Sequence, residues 1–305
     1  MKVIHHTLSR DFKELQILPL ADLHLGDIHS DGKKILESIE YIRNTPNCYT
    51  ILNGDLMDSA IKSSIGDIYG ANLQPMMQLE QAVKLFGDIA EKILAVTPGN
   101  HEARIYRSDG IDITQIMCSQ LGIGDRYSPA SVLLIVRFGE EPSHNHGRRV
   151  CYTIYQTHGS GGGRLEGGKI NRLMQLASIV DADIYIHSHV HTPAIVKTAY
   201  FRPSLPNNSV MKVDRLFINT SSTLEYGGYG EVQSYKPNST ETPLIILDGT
   251  RRRMRAILCS DIPAFLPRVG RAKLKLRQDA PFASLRSFVP FGITVGQLTE
   301  RWGRN

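Results

Sequence analysis

Five times within the first 191 residues a short apolar run stops at side chains suited to metal or acid–base chemistry. The run 15–21 closes on Asp22-Leu23-His24, and the run 49–53 on Gly54-Asp55, with Asp58 three positions on. The run 93–97 closes on Pro98-Gly99-Asn100-His101-Glu102, the run 150–157 on His158-Gly159, and the run 184–186 on His187-Ser188-His189-Val190-His191. In open α/β sheets, sites form beyond the carboxyl ends of strands, so blocks placed in this way are expected to meet. A single Asp-x-His pair or Gly-Asp turn says little. Five such blocks, each after an apolar run, point to one converging site.

Between these runs the apolar spacing turns helical, which makes the chain α/β. Strands are expected at 15–21, 49–53, 93–97, 132–138, 150–157, 184–187 and 216–219, and helices at 32–44, 74–92, 111–121 and 168–180. In 74–92, Met77, Leu79, Val83, Leu85, Phe86 and Ile89 recur mostly at three- and four-residue spacing. Residues 244–247 and 254–258 read as a β-hairpin turned at Asp248-Gly249. Residues 201–208 and 226–243, rich in Gly, Pro, Ser and Asn, read as loops. No linker divides the chain, so one domain over 1–261 is expected, followed by a basic extension at 262–305.

Asp, His and Asn donors without thiolates suit Mn²⁺, Fe or Zn²⁺. Residues i and i+2 of an extended chain point to one side, so Asp22 with His24, and His189 with His191, can each address one centre. Gly54 and Gly99 allow sharp turns and close approach. Seven O/N donors exceed what one tetrahedral ion takes, which implies two ions. A pair ~3.5–4 Å apart is the clamp used in phosphoryl displacement.

Asp22-x-His24, Gly54-Asp55-x-x-Asp58, Gly99-Asn100-His101-Glu102, His158 and His189-x-His191 together resemble the signature of calcineurin-like metallophosphoesterases. The motifs span a little over half of the chain. One departure is visible: Ser188 stands where the last block usually has glycine, with His187 before it. The resemblance implies a four-layer αββα sandwich of two mixed sheets. It implies that Asp22, His24 and His191 bind one metal, that Asn100, His158 and His189 bind the other, and that Asp55 bridges them. It further implies a hydroxide between the ions as nucleophile and His101 as the acid that serves the leaving oxygen. Asp58 and Glu102 would orient histidines or the loop. His187 either supports the site or contacts phosphate, or it fills the end of its strand. Arg104, Arg107 and Arg164 either pair with phosphate or stay in solvent. Manganese is the first expectation for the metals, with iron, zinc, nickel and magnesium as alternatives. His5, His6, His29, His144 and His146 fall outside the pattern and read as surface residues.

Charge bears on the substrate. The chain carries 35 basic and 30 acidic residues, net +5, yet residues 251–305 alone hold 12 basic and 3 acidic. A basic end on an acidic body suggests contact with DNA or RNA; the plainer reading is a solvated hairpin and tail. Ala21-Asp22-Leu23-His24-Leu25-Gly26 is similar to the opening of DNA-repair exonucleases of the same superfamily, which points to a phosphodiesterase acting on nucleic acid or nucleotide diesters. A phosphomonoesterase of the protein-phosphatase type is the alternative, although the arginine usual in that type's second block is missing from Gly54-Asp55-Leu56-Met57-Asp58-Ser59-Ala60. A non-catalytic scaffold of the same fold is a third, set back by the fact that no ligand is lost. With 41% hydrophobic and 21% charged residues, general disorder is excluded. No window approaches the ~18 apolar residues of a membrane span. Residues 1–12 lack the apolar core of a secretory signal. Four scattered cysteines make no disulfide framework, so a reducing, cytoplasmic setting is expected.

Overall fold

The strand Ile93–Thr97 is buried at every position and the strand Cys48–Asn53 at all but one, as short apolar runs covered on both faces should be. A computed structural model of the chain describes residues 1–61, 64, 71–139 and 150–259. In chain order the strands are β1 (Lys2–Leu8), β2 (Glu14–Ile17), β3 (Cys48–Asn53), β4 (Ile93–Thr97), β5 (Ser131–Phe138), β6 (Val150–Thr157), β7 (Ile184–His187), β8 (Ala194–Ser204), β9 (Ser209–Asn219), β10 (Thr242–Asp248) and β11 (Met254–Cys259). The helices are α1 (Gly32–Asn44), α2 (Pro75–Gly87), α3 (Glu102–Asp109), α4 (Ile113–Gln120), α5 (Glu166–Gln175) and α6 (Gly228–Val232).

Two mixed sheets result, with strand orders β1-β5-β6-β7-β9-β8 and β11-β10-β2-β3-β4. They face each other across one apolar layer. Val132, Leu134, Tyr152, Ile154, Ile184, Ile186 and Ile218 of the first meet Leu15, Ile17, Ile51, Leu94, Ile245 and Leu247 of the second. On the outer face of the first sheet, Tyr155, Tyr185 and Phe217 pack under Leu173 of α5, with the Tyr185 and Phe217 rings stacked at 4.7 Å. On the second sheet's outer face α1 buries Ile35, Ile39 and Ile42; its start is capped by Asp31, whose side chain accepts from Lys34 N–H at 3.0 Å. The order of layers is therefore αββα, as the resemblance implied.

β4, β6, β7 and α1 match the sequence reading residue for residue. Four differences have physical causes. β1 pairs parallel to β5 at the sheet edge; its His6 is not a surface residue, because the ring contacts the Leu94 carbonyl at 2.8 Å. His29, also read as surface, packs its ring against Gly227 and Gly228, where a Cβ would come within 2.7 Å of it. Residues 201–208, read as a loop, belong mostly to the β8–β9 hairpin, whose outer half is too exposed to show an apolar pattern. The β10–β11 turn is longer than the two residues an Asp-Gly signal suggests: Leu247 pairs with Met254. The Tyr152 hydroxyl fastens it, donating to the Asp248 carbonyl at 2.7 Å and accepting from Arg253 N–H at 2.9 Å. The expected extension at 262–305, like His144 and His146, lies outside the described residues. Among the described residues no helix is long and apolar enough to cross a membrane.

Candidate metal centre

The five strand-end blocks converge, but not through extended backbone. Asp22, His24, Asp55, His189 and His191 adopt left-handed conformations, with φ of 51°, 48°, 50°, 67° and 51°. For a residue with a Cβ this costs on the order of 1–2 kcal/mol, so five instances in one place need surroundings that enforce them. The first two turns supply part of this by gripping each other: Asp22 N–H donates to Gly54 O and His24 N–H to Asp55 O, both at 3.0 Å. Pairing i with i+2 thus holds, but its cause is a run of tight turns. Glycine is required where the second and third turns meet. A Cβ on Gly54 would lie 2.5 Å from Gly99 N, and one on Gly99 would lie 2.1 Å from Asp55 Oδ1.

Two donor sets form. Asp22, His24 and His191 bring one donor atom each to within 4.8 Å of one another, and so do Asp55, His158 and His189. Asn100 joins the second set, its Oδ1 being 2.6 Å from His189 Nδ1 and 3.1 Å from His158 Nε2. The seven predicted ligands are therefore all brought together. A third set, His24, Asp58 and His101, shares His24 with the first. The residues fit a cation. Asp22 Oδ1 and His24 Nδ1 are buried without a well-formed hydrogen bond; their nearest partners are His191 Nε2 at 3.2 Å and Asp58 Oδ1 at 3.8 Å, an arrangement that a cation would satisfy better. His24 Nε2 and His191 Nε2 face each other at 3.4 Å. Hard oxygens with imidazoles match Mn²⁺, Fe or Zn²⁺.

Without metal the charges pair locally. Burial raises the Asp55 pKa, but the His158, His101 and His24 rings outweigh this and hold it well below the usual carboxylate range. Burial opposes protonation of His158, yet Asp55, 3.2 Å away, and Asp22 push its pKa up to about 10. A metal bound here has to displace that proton, so loading releases protons and weakens in acid. Burial lowers the pKa of both His24 and His189, which keeps those imidazoles ready as ligands.

Asp58 and Glu102 have distinct tasks. Asp58 fixes His101: ring Nδ1 lies 2.8 Å from the Asp58 carbonyl and 3.1 Å from its Oδ1. Burial works against a charged His101, but Asp58 and Asp55 outweigh it and raise its pKa. Glu102 ties the second turn to the third. Its Oε1 accepts from Leu56 and Met57 N–H at 2.6 and 2.9 Å, and its Oε2 from Asp55 and Gly99 N–H at 3.0 and 2.8 Å. Burial and Asp55 push its pKa up, and the backbone donors act against this. Glu102→Gln turns one double acceptor into an amide N–H₂ facing two N–H donors. A hydrogen bond to a charged group contributes about 1.5–3 kcal/mol, so the variant should lose about 3 kcal/mol of stability. Urea unfolding of metal-free protein checks this; a shift under 0.5 kcal/mol, within the noise of a surface change, would mean the glutamate is not the tie.

The remaining candidates divide. Arg104 reaches the site, its Nη2 lying 2.9 Å from His101 Nε2. Arg107 folds back onto α3, donating to the Ala103 carbonyl at 3.2 Å. Arg164 is exposed; it donates to the Gln233 carbonyl at 3.4 Å and lies 5.8 Å from the Tyr235 ring centre. His187 is buried against Gly159, its Nδ1 3.1 Å from Asn219 Oδ1, and burial lowers its pKa to about 4. It supports the His158 turn from behind. Sequence reasoning missed a buried polar web under the ligands. Asn53 donates to Ser188 Oγ at 2.7 Å, Thr97 to Asn53 Oδ1 at 2.9 Å, and Thr220 to Ser188 Oγ at 2.8 Å. Ser222 donates to the Asp22 carbonyl at 2.9 Å. Ser188 thus uses its hydroxyl to join the sheets where glycine is usual. Thr220 to Thr223 follow directly on β9, so the strand-end rule could have found them.

A family model described as calcineurin-like phosphoesterase matches residues 23–193. No curated protein matches the chain. Solved structures that align with it include the following two. A predicted phosphoesterase from Streptococcus pneumoniae TIGR4, described as a conserved uncharacterized protein, is 16% identical, with a TM-score of 0.33 over 80% of this chain and 90% of that one. Vps29 from Entamoeba histolytica, complexed with zinc, is 12% identical, with a TM-score of 0.36 over 80% of this chain and 99% of that one.

Proposed function

The chain belongs to the calcineurin-like phosphoesterase family, and from that premise we propose that it is a metal-dependent phosphoesterase working with two divalent ions, manganese first among them. The observation that carries this is the pair of donor sets with five ligands in left-handed backbone. Asp22, His24 and His191 would hold one ion, Asn100, His158 and His189 the other, and Asp55 would be shared. When bound, such ions supply Lewis acidity and water activated near neutral pH. The chain does the rest. Asp58 holds Nδ1 of His101, which aims the opposite nitrogen, Nε2, at the leaving oxygen. Glu102 keeps Asp55 and Asn100 in register.

We favour a diester substrate, on the similarity of residues 21–26 to the DNA-repair exonucleases. Size is a separate matter. Of the described basic residues after position 250, Arg251 pairs with Asp248, Arg252 with Asp183 and Arg255 with Glu14. Asp248 sits opposite Glu14 in antiparallel pairing, so this turn lies at the end where β2 begins, away from the turn at Asp22. That supports a nucleotide-sized diester over a polynucleotide gripped by the turn. A Mn²⁺-loaded turnover panel tests the reading, with bis-p-nitrophenyl phosphate, p-nitrophenyl phosphate, a cyclic nucleotide, and single- and double-stranded DNA. Chelator-sensitive turnover, fastest on the diesters, is expected. Faster turnover of p-nitrophenyl phosphate would make the protein a monoesterase, and no turnover would leave the scaffold reading.

A further inference from the structure

Arg104, three residues past His101 on α3, turns its guanidinium back onto the site. The hydrogen bonds around His101 assign its proton. Nδ1 faces two acceptors, the carbonyl and Oδ1 of Asp58, at 2.8 and 3.1 Å. Nε2 faces Arg104 Nη2 at 2.9 Å, and a guanidinium only donates. In this arrangement the hydrogen is on Nδ1, and Nε2 accepts from Arg104. A general acid needs its proton on the nitrogen that serves the leaving oxygen, so Arg104 has to leave Nε2 before His101 can act. Something anionic must draw it off.

Its surroundings leave it available. Among the described residues no carboxylate pairs with Arg104, although it is half-buried. By contrast Arg43 pairs with Asp88, Arg202 and Arg215 with Asp181, and Arg252 with Asp183. A planar fork with free donors suits phosphoryl oxygens, which it can hold by two bonds at once. The backbone donors nearby are already taken: Asp55 Oδ1 accepts from His101 N–H at 2.8 Å, and Glu102 accepts from Gly99.

We propose that Arg104 is the phosphoryl-binding residue of this site, exchanging His101 Nε2 for a non-bridging phosphoryl oxygen as substrate arrives. The exchange leaves Nε2 open to take up a proton from water, so His101 becomes a general acid only when a phosphoryl group is in place. This deepens the phosphoesterase reading and rests on it. A monoester offers three oxygens and up to two charges, a diester two oxygens and one charge, so the arginine should matter more for the monoester.

The test uses the metal-loaded full chain as wild type, Arg104→Lys and Arg104→Ala. Inorganic phosphate affinity is measured by calorimetry, and kinetics on bis-p-nitrophenyl phosphate and p-nitrophenyl phosphate. One charge-assisted contact corresponds to about a 10- to 100-fold change in affinity. Arg104→Ala should weaken phosphate binding by that factor and raise KM, more for the monoester, with metal content unchanged. Arg104→Lys should recover part of the loss. Equal phosphate affinity in wild type and Arg104→Ala overturns the proposal and leaves the phosphoesterase reading intact. A fall in kcat alone, with KM and phosphate affinity unchanged, also overturns it and makes Arg104 a positioning residue for His101. A wild type that binds phosphate through Arg104 yet hydrolyses neither ester removes the proposed function and upholds the phosphoryl-binding role.

Discussion

Replacing Asp55 by asparagine is expected to cost the protein its metal pair while leaving the fold in place. Asp55 is buried, 3.2 Å from His158 and 3.9 Å from His101, and its backbone carbonyl supports the His24 turn. Asparagine keeps the shape and keeps an oxygen for His101 N–H, which now reaches Asp55 Oδ1 at 2.8 Å. What it loses is the negative charge that two cations would share. Removing a group merely hydrogen-bonded to a ligand costs about 10–100-fold in metal affinity or activity, so the loss here should exceed 100-fold. Metal analysis after dialysis against Mn²⁺ should find two ions in the wild type and one or none in Asp55→Asn, with unchanged secondary structure by circular dichroism. A wild type that stays at one ion under saturating Mn²⁺ would sink the two-metal reading.

The site was more legible in the sequence than the fold around it. Strand ends such as 97 and 157 could be placed because the apolar runs before them are buried and stop at polar residues. The edge strands were not legible, for opposite reasons. β1 mixes His5 and His6 into its run, and the outer half of the β8–β9 hairpin is at most half-buried in β8 before Ser204 and exposed in β9, with polar residues on its inner face, so neither shows an apolar period. Helix α3 was hidden because it begins inside a motif: Gly99-Asn100-His101-Glu102 reads as a loop, yet Glu102 is its first residue. The left-handed turns could not be foreseen, because Asp and His, though enriched at positive φ, adopt it at only a small minority of their positions. Only the interlocked turns and the metal they are built to hold make that conformation worth its strain. The web of Asn53, Thr97, Ser188 and Thr220 consists of single polar residues at strand ends, each unremarked until the two sheets are face to face.

The second large effect is expected at His101. Its ring is within reach of a metal site, grouped with His24 and Asp58, so a ligand role is the rival to a catalytic one. The hydrogen bonds favour catalysis. Nδ1 is held by Asp58 and Nε2 meets the cationic Arg104, whereas His158 Nε2 faces the ligand oxygen of Asn100 and His24 Nε2 faces His191 Nε2. The backbone N–H of His101 already serves Asp55, and a substitution at the side chain leaves that tie intact. His101→Asn should therefore retain its full metal content and lose roughly 10²–10⁴-fold in kcat, the range for a positioned acid or base. The loss should shrink on a nitrophenyl ester, whose phenolate departs without a proton, and grow on an alkyl ester, whose alkoxide cannot. Comparing the two leaving groups separates proton donation from general damage, since a distorted site would slow both alike. If His101→Asn instead comes off the column with less metal than the wild type, His101 is a ligand, and the acid must be sought elsewhere among the groups at the mouth of the site.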